Sequence, residues 1–135
     1  MSYTLYFDGG SRSNPGPSGC GWFITNDLQP PHEGFKYIGH ATNNEAEYQA
    51  LIYGLKYLST FLEAEFMEIQ VFGDSKLVIE QMNRSWKVKA QNLIPLWKEA
   101  HELAKVFKAV KYTHIDRSLN VEADRLANKA IDLKL

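Results

Sequence analysis

The chain has 135 residues, 44% of them hydrophobic, which fits one domain spanning 1–135 with a real core. Fifteen basic against sixteen acidic residues argue against a strongly electrostatic nucleic-acid binder, although a local basic surface or bound metal can still dominate a site. One cysteine, Cys20 in an apolar run, excludes an internal disulfide framework and fits a reducing, cytoplasmic setting; no stretch reads as membrane-spanning or as a signal peptide.

Residues 3–8 alternate Tyr3, Leu5, Phe7 against Thr4, Tyr6, Asp8, the pattern of a strand. It ends on Asp8 at the mouth of "GGSRSNPGPSG". This loop lacks Lys-Ser or Lys-Thr after its last glycine, so it is not a Walker phosphate loop. Residues 20–25 and 35–41 read as two more strands separated by a Pro30-Pro31 turn, forming an antiparallel meander. Thr42 and Glu45 form a capping box, and a long amphipathic helix follows with Leu51, Leu55, Leu58 and Leu62 on one stripe. Residues 67–72 read as a buried strand ending at Gly73-Asp74, 76–83 and 90–105 as helices, and 110–115 as a last strand. Residues 120–133 read as a C-terminal helix capped by Ser118 or Asn120. A meander feeding crossover units implies an α/β fold, a mixed sheet with helices on its faces.

Periodicity separates the carboxylates that face inward. Asp8 and Asp74 end two strands, and ligand sites in α/β sheets gather beyond strand ends. Glu47 lies four residues before Leu51 and extends the apolar stripe, whereas Glu45 points to the other side and serves the capping box. Asp124 shares a helical face with Ala127 and Ile131; Glu122 and Asp132 share it less well. Each of the four alone could be a cap or an ion-pair partner. Together, with no comparable set of inward basic residues, they suit a hard cation such as Mg²⁺ or Mn²⁺.

At this point the chain resembles type 1 ribonuclease H, in its archaeal-type, short-loop form. The matching motifs are "FDGGSRSNPGPSG", "TNNEAEYQAL", "GDSKLVIEQ" and "NVEADRLANKA", in the family's order along nearly the whole chain. The resemblance implies a ribonuclease H-like fold: a five-stranded mixed sheet, strands one to three antiparallel, flanked by helices. It implies a monomeric endonuclease that hydrolyses the RNA strand of RNA–DNA hybrids with two Mg²⁺ ions, Mn²⁺ being a substitute, and leaves 5′-phosphate and 3′-hydroxyl ends. Asp8, Glu47, Asp74 and Asp124 correspond to the family's catalytic, metal-binding carboxylates. In the family's pattern Asp8 bridges both ions, Glu47 and Asp74 hold the nucleophile-side ion, and Asp124 holds the other. Gly10, Asn14, Thr42, Asn43 and Asn44 fall on the RNA side, where amides can read a 2′-hydroxyl. Trp86 falls near the DNA strand.

The chain departs from many members in two regions. The segment after the fourth strand, "NRSWKVKAQNLIPLWKEA", is short and carries only Arg84, Lys87, Lys89 and Lys98. The loop "DRSLN" before the last helix is also short. Counting back from Asp124 puts His114 in the role of the mobile loop histidine of bacterial members, but His114 lies in a strand-like run. Arg117 is the candidate for phosphate contact or product release. The alternatives are a non-catalytic nucleic-acid-binding module of this fold, a related metal-dependent nuclease acting on duplex RNA or DNA, and an α/β domain with a structural metal.

Overall fold

The computed structural model describes residues 1–135. Three long strands come first: β1 (Ser2–Ser11), β2 (Gly16–Asn26) and β3 (Gln29–Ala41). Helix α1 (Asn43–Ser59) follows, then β4 (Glu68–Gly73), α2 (Lys76–Met82), α3 (Ile94–Ala104), β5 (Ala109–His114) and α4 (Val121–Leu133). Two short 3₁₀ turns, Ala64–Phe66 and Arg117–Leu119, were not legible as elements in the sequence. The sheet order is β3-β2-β1-β4-β5, with β1 antiparallel to β2 and parallel to β4. The expected five-stranded mixed sheet is therefore present.

The central strand β1 directs Tyr3, Leu5 and Phe7 into the core beneath α1, where Leu51, Leu55 and Leu58 are fully buried. The opposite face of the sheet receives α4 at Gly19 and Gly21. A Cβ at Gly21 would overlap the Ala123 carbonyl and the Ala127 amide, so only glycine lets this helix come so close. The two helices that carry Glu47 and Asp124 thus clasp opposite faces of the sheet near the same strand end.

Three expectations need correction. Pro30 and Pro31 do not form the turn; they lie at the start of β3, and the chain reverses at Asp27-Leu28, where Asn26 Oδ1 accepts from the Leu28 amide at 2.8 Å. The prolines are tolerated because β3 is an edge strand and its register with β2 shifts between Ile24 and Asn26. The leucine stripe also ends sooner than its spacing suggests. Helix α1 stops at Ser59, and Leu62 beyond it is 100% exposed. The third helix starts at Ile94 rather than residue 90, with Pro95 in its first turn, where a missing N–H costs nothing.

The break in the stripe predicts a contrast in urea unfolding. Leu58→Ala should lower stability by about 2–5 kcal/mol through transfer and cavity costs. Leu62→Ala should change it by less than about 0.5 kcal/mol.

Candidate active site

Asp8 follows the last residue of β1 that pairs with the parallel strand β4, and β4 ends just before Asp74; β1 itself does not stop at Asp8 but runs on to Ser11, paired with β2. Helix α1 brings Glu47 over the same point, held by a hydrogen bond from the Gly9 amide to Glu47 Oε1 at 2.7 Å. Each of these three side chains offers an oxygen, all within 4.8 Å of one another. Asp8 and Glu47 are buried, and Asp74 is half-buried. Asp124, on the first turn of α4, lines the same cleft of about 470 Å³ but stands outside that tight trio. Its Oδ1 lies 3.9 Å from the Arg117 guanidinium.

Burial and mutual repulsion raise the pKa values of the trio. Asp8 is pushed up to about 8 by desolvation, then by the neighbouring Asp74 and Asp124 carboxylates. Glu47 is raised by burial, then by Asp8 and Asp74. Asp74 is raised by burial too, with Arg117 pulling the other way. Glu45 behaves differently: its carboxylate accepts from the Thr42 amide at 2.8 Å, Thr42 Oγ1 accepts from the Glu45 amide, and the bond from the Thr42 amide lowers its pKa. The division of labour between Glu45 and Glu47 read from the helix phase is what the structure has. Clustered, desolvated oxygen ligands, with the exposed Arg117 only loosely engaged at their edge, are a donor set that fits a hard divalent cation.

Around the trio, the β1–β2 loop is tied to the start of α1. The Ser11 amide donates to Asn43 Oδ1 at 2.8 Å, and the Asn43 amide donates to Asn14 Oδ1 at 2.9 Å. Asn14 and Asn43 are therefore structural ties whose amide nitrogens remain for a ligand. Asn44 is exposed on the first turn, and a Cβ at Gly10 would meet nothing within 4 Å, so the strand surface there is open. Thr42, Asn43 and Asn44 sit together at the helix start. Trp86 lies apart from the cleft, 44% exposed, in a second groove of about 480 Å³ with Arg84, Lys87 and Trp97. Trp97 is a packing residue whose Nε1 donates to the Gln81 carbonyl at 3.1 Å.

Arg117 lines the cleft, while the His114 ring meets the Asp74 carbonyl at 3.3 Å from its place on β5. Ser75, not Asp74, caps α2, which leaves the Asp74 carboxylate uncommitted. Cys20 is buried, with Sγ donating to the Ala46 carbonyl, and burial pushes its thiol up, as expected for a structural thiol.

Three residues have roles that the sequence did not show. Asn120 heads α4 without using its side chain as a cap; buried, it donates from Nδ2 to the Phe7 carbonyl at 2.9 Å and pins α4 beside Asp8. Arg12 and Asn128 line the cleft. The helical spacing of Asn128, four residues after Asp124, was the available signal for it.

Comparison with known proteins adds the following. The reverse transcriptase-like family model matches residues 6–130. A bifunctional protein of Mycobacterium tuberculosis is 44% identical over 134 residues, covering 98% of this chain and 36% of that protein. Ribonuclease HI of Halobacterium salinarum is 42% identical over 128 residues, covering 94% of this chain and 63% of that protein. The chain thus spans between about a third and two thirds of these curated relatives. The crystal structure of RNase H1 from H. salinarum superposes with a TM-score of 0.90 at 40% identity, and LC11-RNase H1 in complex with an RNA/DNA hybrid with 0.91 at 39%, each covering 98% of both chains.

The crowding of carboxylates predicts a pH-dependent penalty in metal-free protein. An acid whose pKa is higher folded than unfolded favours the fold below its unfolded pKa, and that advantage is lost as pH rises through the folded value. Between about pH 4, an ordinary carboxylate value, and about 8, the folded value of Asp8, the wild type should lose stability relative to Asp8→Asn. In chelator near pH 8 the variant should be the more stable by an amount on the order of 1 kcal/mol. Thermal melts of both proteins across that range check it; a variant less stable at every pH would contradict it.

Proposed function

The chain belongs to the ribonuclease H family, and on that premise we propose that it is an endonuclease hydrolysing the RNA strand of RNA–DNA hybrids. The family depends on divalent metal, and we propose two Mg²⁺ ions here, with Mn²⁺ able to replace them. The observation that carries the reading is the convergence of Asp8, Glu47 and Asp74 at one strand end, with Asp124 facing them across the cleft. All four come from one chain, so the site needs no second copy; this supports a single ribonuclease H domain acting as a monomer. No helix is long and apolar enough to cross a membrane. The free Cys20 thiol suits a reducing compartment, the ground for proposing the cytoplasm.

The catalytic set is Asp8, Glu47, Asp74 and Asp124. A metal pair held by them would supply activation of water and stabilisation of the leaving oxygen in an in-line displacement at phosphorus. Water oxygen bonds to phosphorus, the bond to the 3′ oxygen breaks, and the products carry a 5′-phosphate and a 3′-hydroxyl. The chain's own part is placement. The Gly9 amide orients Glu47, Asp8 neighbours Glu47, Asp74 and Asp124, and the exposed Arg117 is placed to meet a phosphate oxygen. Gly10 leaves room for the RNA backbone, while Asn14, Thr42, Asn43 and Asn44 contact its 2′-hydroxyls. Trp86 offers an aromatic face to the DNA strand beside Arg84 and Lys87.

Labelled hybrid, duplex RNA, duplex DNA and single strands, each with Mg²⁺, Mn²⁺ or chelator, test the substrate class. Metal-dependent internal cuts confined to the RNA of the hybrid are expected, and preferential cutting of another duplex would overturn the proposal. In the same assay Glu47→Gln should lose more than about 100-fold in kcat, beyond what loss of an outer-shell partner causes. Glu45→Gln should stay within about twofold of wild type, because glutamine also serves a capping box. Equal activities would remove Glu47 from the catalytic set.

A further inference from the structure

Arg12 is the one cation between Asp8 and Cys20, and it does not point into open solvent alone. From the β1–β2 loop it reaches across to α4, where Nη1 lies 2.6 Å from Asp132 Oδ1 and Nη2 donates to Asn128 Oδ1 at 3.2 Å. Asn128 in turn donates from Nδ2 to the Asp124 carbonyl at 3.0 Å and reaches the Asp124 carboxylate Oδ1 at 3.4 Å. Residues 12, 128 and 124 thus form a chain from a loop of the hairpin to a carboxylate of the cleft.

The chemistry of the groups gives this chain a direction. A guanidinium only donates, so the end of the Asn128 amide facing Arg12 must be its oxygen. The NH₂ end is then turned toward Asp124. Asp132 holds Arg12 in place from the other side. Asp124 needs such a partner: its side chain is 38% exposed, and the nearby Arg117 is 83% exposed and only loosely engaged at 3.9 Å. Both Asn128 and Arg117 address Oδ1, so neither engages Oδ2.

We infer that Asn128 is a positioning residue for Asp124, and that Arg12, braced by Asp132, sets the orientation of the Asn128 amide. The inference rests on the reading of Asp124 as a metal-holding carboxylate. It differs from a plain helix-surface bond. An amide bonded only to the carbonyl four residues back would not need Arg12, and loss of Arg12 would then touch stability alone. Here Arg12 governs which way a carboxylate on another element faces, so its loss reaches the rate and the metal requirement. The same link joins the loop that carries Asn14 to the helix that carries Asp124, so the two sides of the cleft are set together.

The test uses the purified chain and an RNA–DNA hybrid, with kcat, KM and the Mg²⁺ concentration for half-maximal rate measured for wild type, Asn128→Ala, Arg12→Ala, Arg12→Lys, the double alanine variant and Asp124→Asn. Asn128→Ala and Arg12→Ala should each lower kcat about 10-fold, the scale of a partner outside the ligand set. KM should stay within about twofold, and the half-maximal Mg²⁺ concentration should rise. The double variant should be no worse than Asn128→Ala, because Arg12 acts through it. Arg12→Lys keeps the charge opposite Asp132 but lacks the second donor of the fork, so it should melt like wild type and still lose rate. An independent readout is the side-chain amide signal of Asn128 by nuclear magnetic resonance. In the wild type it should shift on adding Mg²⁺; in Arg12→Ala it should move toward that of a solvated asparagine.

Wild-type kcat and Mg²⁺ dependence in both single variants would overturn the inference, as would additive losses in the double variant. If Asp124→Asn is inactive while Asn128→Ala is normal, only the positioning role fails. If Asp124→Asn is fully active, the assignment of Asp124 itself fails and takes this inference with it.

Discussion

At Gly9 the backbone of α1 rests directly on β1: a Cβ there would overlap the Ala46 carbonyl and the Glu47 amide. That contact fixes the site. It brings Glu47 within reach of the Gly9 N–H and sets its carboxylate beside Asp8, one residue earlier on the strand. Any side chain at position 9 would lift the helix and move Glu47 away from its neighbours. The rest of α1 is buried through Leu51, Leu55 and Leu58, so the helix has little freedom to relieve the crowding at its start.

The fold therefore holds like charges together against their preference. Burial and repulsion raise Asp8, Glu47 and Asp74 together, and the Gly9 amide at Glu47 and the Arg117 guanidinium near Asp74 oppose this only in part. The cost is local, and the sheet and the core under α1 offset it. On the other face, Gly19 and Gly21 let α4 descend onto β2, and Asn120 ties the start of that helix to the Phe7 carbonyl. Two close helix–sheet approaches, one on each face, thus bring acidic side chains to a single strand end. A divalent cation would relieve the repulsion that this arrangement creates.

Much of this was legible because it depends on local periodicity. The alternation in residues 3–8 gives β1, the Thr42 and Glu45 spacing gives the start of α1, and the phase of Leu51 separates Glu47 from Glu45. What failed was what tertiary context decides. Pro30 and Pro31 signal a turn, yet an irregular edge strand accommodates them. Leu62 keeps the helical spacing but falls after the helix has ended at Ser59. Arg12, in a loop otherwise made of small residues, asparagine and proline, gave no sign that it would bond to side chains more than a hundred positions away. Asn120 looked like a cap because its helix starts there, while its side chain serves β1 instead.

The central claim is that the carboxylate trio exists to hold metal. Crystals soaked in Mn²⁺ and measured for its anomalous scattering address this directly, without relying on turnover. A peak is expected among Asp8, Glu47 and Asp74, at the roughly 2.0–2.2 Å ligand distances of a small hard dication. An empty trio in saturating Mn²⁺, or a peak only elsewhere on the surface, would contradict it.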